Sequence, residues 1–227
     1  MRIKGKELLC RGVALLALAA VWTVLVCRVD VKPVGQLGTA LGFAGLNTWF
    51  FRLTGVHLWL YTLTDWLGLV PVFVCLGFAG IGAVQLLRWR GLKKVDLDIL
   101  LLGVYYIAVV TLYLVFEMIP INYRPVLIQG CLEASYPSST TLLVLCVMPT
   151  LVIQARRRMG KGRTAVTVGT MIFSAAMVAG RMISGVHWLT DIIGAGLMSA
   201  GMVCLYRAAV ALCCEEKELG GRGSGIS

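Results

Sequence analysis

The chain has 227 residues, of which 59% are hydrophobic and 14% charged, with a formal net charge of +10 and a mean hydropathy of +0.86. Those values exclude an ordinary soluble domain and a disordered chain, and identify a membrane protein. The positive balance alone would suit nucleic acid, but its distribution follows membrane topology instead, so no nucleic-acid partner is expected.

Apolar runs cover 13–27, 66–87, 99–116, 140–153, 164–179 and 192–212. With its flanks, each approaches the roughly 17 to 25 residues that a transmembrane helix needs. The fourth is short when taken alone. The first has the basic start of a secretory signal, but no small-residue cleavage motif follows Cys27, so it reads as a retained helix. Between the first and second runs, 34–66 is rich in Trp, Tyr and Phe and poor in charge. Aromatic rings with polar edges favour the headgroup layer, which predicts one or two helices lying along the membrane surface. A spanning helix over 35–51 would flip every later loop against the charge bias.

Four lysines and arginines precede the first run, four separate the second from the third, five separate the fourth from the fifth, and three, Arg207, Lys217 and Arg222, end the chain. Sixteen of the 21 basic residues therefore fall on one side. By the positive-inside rule that side is cytoplasmic, carries both termini and attracts anionic lipids. The expected architecture is all-α: a polytopic six-helix membrane bundle forming one domain over 1–219, with a flexible tail over 220–227. A plasma membrane, such as a bacterial inner membrane, is the natural location. Of the eight cysteines, Cys27 and Cys131 are the only outward pair, and their spacing forces no bridge. No metal-ligand spacing occurs, so neither a metal nor another cofactor is expected.

The outward loops carry the chemistry. One holds Glu117, Arg124, Glu133 and the turn "YPSSTT" over 136–141; the other is "GRMISGVHWLTD" over 180–191. Arg124 and Arg181 offer planar forks of donors suited to phosphate oxygens. Ser138 and Ser139 stand where a helix begins, and free backbone amides at such a start seat anions. His187 and Asp191 are four residues apart, so a helix begun before His187 would stack them. A carboxylate on one ring nitrogen leaves the other nitrogen's lone pair free to attack phosphorus.

"NYRP", "YPSST" and "GRMISGVHWLTD", in this order, resemble the three signatures of the type 2 phosphatidic acid phosphatase family of membrane lipid phosphatases. The third, Arg181-x5-His187-x3-Asp191, is the specific one. The resemblance implies that Arg124 and Arg181 bind phosphate with help from Ser138 and Ser139, that His187 is the nucleophile and that Asp191 orients it. Three positions depart from the family pattern: Glu117 replaces a lysine, Gly180 a serine, and Thr140 the histidine that protonates the leaving group. A threonine hydroxyl is not acidic near neutral pH and cannot replace a general acid typically worth about 10²- to 10⁴-fold. A phosphate monoester, with a second pKa of about 6, leaves without that proton far more readily than a lipid alkoxide.

The expected activity is therefore phosphate removal from a lipid phosphate or polyprenyl diphosphate at the extracytoplasmic surface, through a phosphohistidine and with a preference for diphosphates. Thr140, Glu117 and Tyr136 are candidates for lining the site. A Glu117–Arg124 pair and an interfacial His57 with no catalytic role are the plain structural expectations. The alternatives are a catalytically impaired phospholipid-binding or scaffold protein, and a phosphohistidine-dependent transferase.

Overall fold

In the computed structural model, residues 2–223 are described, with side chains over 4–213. Six helical segments there are long and apolar enough to cross a membrane: Lys4–Arg28, Leu58–Trp89, Leu97–Met118, Ser139–Arg158, Arg163–Ile183 and Leu189–Cys213. The chain is thus an all-α polytopic bundle, as its hydropathy requires. The helices are α1 (Arg2–Arg28), α2 (Ala44–Thr54), α3 (Leu58–Leu67), α4 (Leu69–Trp89), α5 (Leu97–Met118), α6 (Ser139–Arg158), α7 (Arg163–Ile183) and α8 (Leu189–Gly223). Residues 224–227 of the expected tail lie outside the described residues.

The second span departs from expectation. It begins at Leu58 rather than near Trp66, because α3 runs through Gly68 into α4 as one 32-residue apolar segment. At 1.5 Å per residue it rises roughly 48 Å, well beyond a ~30 Å hydrocarbon core. Only α2 remains as a separate short helix between the first two spans, and its roughly 16 Å cannot cross a membrane. The aromatic signal in 34–66 did not distinguish a surface helix from the overhanging end of a spanning one.

The weakest apolar run is the innermost helix. Half of the apolar window of α6 is buried inside the protein, against 11% to 33% in the other spans. Helices packed against protein rather than lipid can be less apolar, provided their polar groups are satisfied internally. Gln154 of α6 is buried and donates from Nε2 to Tyr206 Oη at 2.8 Å. The Tyr105 hydroxyl donates to the Cys146 carbonyl at 3.0 Å, and the Tyr105 ring packs on Tyr206 at 5.0 Å. Leu142, Ala195 and Met198 join these groups in the main core.

Each end of the bundle is tied by polar contacts. At the basic end Arg157 and Arg158 reach across to Asp98 at the start of α5, at 3.3 and 2.8 Å. At the other end Asn47 of α2 donates to Thr190 Oγ1 at 3.0 Å and accepts from the Thr190 amide at 3.2 Å. Trp22 Nε1 of α1 donates to the Thr190 carbonyl at 3.2 Å. The turn after α2 docks on the turn after α7, where the His57 amide donates to the Ser184 carbonyl at 2.9 Å. Gly185 permits this approach: its φ is +69°, and a Cβ there would lie 2.0 Å from the Gly55 carbonyl oxygen. Gly185→Ala should therefore cost about 2 kcal/mol or more. A lowered midpoint of thermal unfolding in detergent checks this, and an unchanged midpoint contradicts it.

Candidate active site

A small hairpin sets the first arginine. Residues 122–135 fold back on themselves through bridges between Tyr123 and Ala134 and between Ile128 and Cys131. Gln129 and Gly130 both have positive φ, 50° and 79°, as a tight two-residue hairpin turn requires. This pairing places Arg124 opposite Glu133, whose backbone carbonyl accepts from the Arg124 amide at 3.1 Å. The side chains follow, with Arg124 Nε 3.1 Å from Glu133 Oε2. The carboxylate partner of Arg124 is thus Glu133 and not Glu117, which stays exposed at the end of α5. The same hairpin brings the Ser135 amide to the Asn122 carbonyl at 2.8 Å.

Arg181 lies in the last turn of α7 and is 1% exposed. A guanidinium so placed needs compensation, and α3 supplies it. Arg181 Nη2 donates to Asp65 Oδ1 at 2.8 Å and also to the Thr140 hydroxyl. Its Cζ stands 5.0 Å from the centroid of the Tyr61 ring, and Arg124 Cζ stands 5.6 Å from the same centroid. One aromatic ring therefore serves both cations, each contact being worth about 0.5 to 2 kcal/mol. Gly180 lets α3 come this close, since a Cβ there would lie 2.6 Å from Thr64 Cγ2.

His187 is buried, and it precedes α8 rather than lying within it. The expected helical stacking on Asp191 is therefore relaxed: Asp191 Oδ2 lies 3.8 Å from His187 Nδ1, beyond hydrogen-bond range. Asp191 instead reaches back to the Trp188 amide at 2.9 Å, the return half of a capping box. Ser135 fills the interval. Its hydroxyl donates to Asp191 Oδ2 and lies 3.2 Å from His187 Nδ1, while its carbonyl lies 3.1 Å from the same nitrogen. A carbonyl only accepts, so Nδ1 carries the proton and the lone pair stays on Nε2, which has no protein partner. Burial holds the imidazole pKa below its usual 6.5; Asp191 raises it, and the nearby Arg124 and Arg181 lower it.

Arg124, His187, Ser139, Glu117, Glu133 and Tyr136 line one polar cavity of about 200 Å³. Arg181 is not part of the lining; it neighbours Arg124 across the shared Tyr61 ring. Ser138 stands at the N-cap position of α6 but makes no side-chain cap: its hydroxyl donates to Thr141 Oγ1 at 3.0 Å and its amide to the Asp191 carbonyl at 3.3 Å. Tyr136 anchors the site from behind, its hydroxyl 2.7 Å from Thr23 Oγ1. Burial pushes its phenol pKa up to about 12. His57 is exposed, with Nε2 2.9 Å from the Thr54 carbonyl, and takes no place in the cavity. Sequence reasoning missed Tyr61, Asp65 and Ser135. A lone aspartate inside an apolar run was the available signal for Asp65; neither Tyr61 nor Ser135 carried one.

His187 binds protons less readily when folded than when unfolded. Its contribution to stability is thus full above about pH 6.5 and is lost as pH falls from there through its native value. Thermal unfolding of wild type and His187→Gln between pH 8 and 5 should show the gap between them shrinking on acidification. A constant gap would contradict a buried neutral imidazole.

A sequence model of the PAP2 superfamily matches residues 102–212. Among curated proteins no sequence matches the chain. The crystal structure of a transmembrane PAP2-type phosphatidylglycerolphosphate phosphatase from Bacillus subtilis is similar, with a TM-score of 0.62 at 16% identity, covering 91% of this chain and 96% of that one. The chain has the fold of the PAP2-type membrane phosphatases.

Proposed function

We propose that the protein is an integral membrane phosphatase that releases phosphate from a lipid phosphate or polyprenyl diphosphate through a phosphohistidine. The observation that carries this reading is the Nδ1-protonated His187, whose Nε2 has no protein partner, on the wall of a cavity shared with Arg124. Nε2 attacks phosphorus as the bond to the leaving oxygen breaks, its electron pair departing with that oxygen. Arg124 and Arg181 meet the charge on the non-bridging oxygens. Water then attacks the phosphohistidine, the N–P bond returns its pair to Nε2, and the water's protons leave with the released phosphate. Asp191 acts through Ser135, which makes Ser135 a positioning residue.

The cavity lies at the end of the bundle opposite the basic loops. By the positive-inside rule it faces outward, with both termini cytoplasmic. Thr140 supports a preference among substrates: its hydroxyl accepts from Arg181 and so orients that arginine instead of delivering a proton. Diphosphates, whose leaving group is a phosphate monoester, need that proton least. The same observation favours a second reading, in which the protein binds phospholipid without turnover.

Phosphate release from polyprenyl diphosphate, phosphatidic acid and phosphatidylglycerol phosphate in mixed micelles separates these readings. Diphosphate turnover should exceed monoester turnover by about 10²-fold or more, and Thr140→His should narrow that gap. His187→Ala should abolish release. No release from any of the three would leave the second reading standing, and equal turnover of all three would remove the preference. Ser135→Ala should lower kcat about 10- to 100-fold with KM nearly unchanged; a change confined to KM would deny it a positioning role.

A further inference from the structure

At the end of the bundle opposite His187, a groove of about 720 Å³ opens between α1, α6, α7 and α8. The α7 wall is Thr167, Thr170, Met171 and Ser174, the i, i+3, i+4 and i+7 positions of one helical face. The α6 wall runs from Leu145 through Val152 to Arg156, a rise of roughly 16 Å. That is the depth of one leaflet, about half of a ~30 Å hydrocarbon core. Lys4, Arg156, Arg157 and Arg207 border the groove, while most of its remaining lining is apolar.

We propose that this groove binds one anionic phospholipid, with its headgroup phosphate on Arg156 and Arg207 and an acyl chain laid between α6 and α7. The cations differ in availability. Arg157 and Arg158 are engaged by Asp98 and Asp96. Among the described residues, Lys4, Arg156 and Arg207 pair with no carboxylate. Guanidinium forks bind phosphate oxygens bidentately, and the partly desolvated edge of the membrane strengthens that contact. The volume lies within the ~300 to 1,000 Å³ range of small-molecule sites. From Ser139 to Arg156, α6 rises roughly 25 Å, so this site is separate from the cavity at His187 and holds whether or not His187 turns over substrate.

Native mass spectrometry of the full chain, released from nanodiscs of mixed phosphatidylglycerol and phosphatidylcholine, tests the assignment. Wild type and His187→Ala should each retain one phosphatidylglycerol in preference to phosphatidylcholine. R156Q/R207Q and the groove-filling Ser174→Trp should each reduce that retention at least tenfold. R156K/R207K should retain much of it, and R88Q/R90Q, which removes basic charge away from the groove, should leave it unchanged. Equal retention of both lipids, displacement by inorganic phosphate, equal loss in R88Q/R90Q, or a dimer that dissolves in R156Q/R207Q would each overturn the proposal.

Discussion

The site depends on keeping a buried guanidinium charged at the end of a transmembrane helix. Arg181 is almost completely enclosed, and an isolated cation there would be strongly unfavourable. Its compensation comes from three groups on two helices: Asp65 and Tyr61 from α3, and the Thr140 hydroxyl from the first turn of α6. This is possible because α3, the first part of the second apolar segment, packs alongside α7. Two positions in the motif-bearing segments then share one cause. Gly180 makes room for Thr64, and Thr140 accepts a hydrogen bond from the arginine.

The histidine shows how one carboxylate serves structure and chemistry together. Asp191 caps α8 through the Trp188 amide, which fixes the turn holding His187. The same oxygen accepts from Ser135, whose carbonyl sets the imidazole tautomer. Capping and orientation, which look like rival explanations for a single aspartate, are two consequences of one position. Burial then keeps the ring neutral, because desolvation outweighs the pull of Asp191 and works in the same direction as the two nearby arginines.

The sequence made some of this legible because a few signals are physically strong. Six apolar runs, the one-sided basic charge and the Arg181-x5-His187-x3-Asp191 spacing each reflect a constraint that acts on consecutive residues. What stayed hidden depends on contacts between distant segments. Glu133 became the partner of Arg124 through hairpin register, and Glu117, nearer a helix end, did not. Tyr61 looked like any interfacial aromatic until two arginines were found on its ring. The start of the second span was misjudged because aromatic residues mark the membrane interface equally well in a surface helix and in an overhanging one.

Arginine is used in opposite ways at the two ends of the bundle, and the difference lies in how its charge is met. At the His187 end each guanidinium rests on a carboxylate and an aromatic ring, while its Nε and Nη1 are buried with no hydrogen-bond partner. Under the proposed function these oriented donors would meet charge on the transferring phosphoryl group without reorganising, which is where stabilisation raises the rate. At the other end Asp96 and Asp98 engage Arg157 and Arg158 as a structural tie between α5 and α6. Arg156, one residue earlier, faces a groove instead. A helical turn of 100° per residue is enough to give neighbouring arginines different partners, so a basic run that reads as a single topology signal resolves into separate roles once the helix is formed.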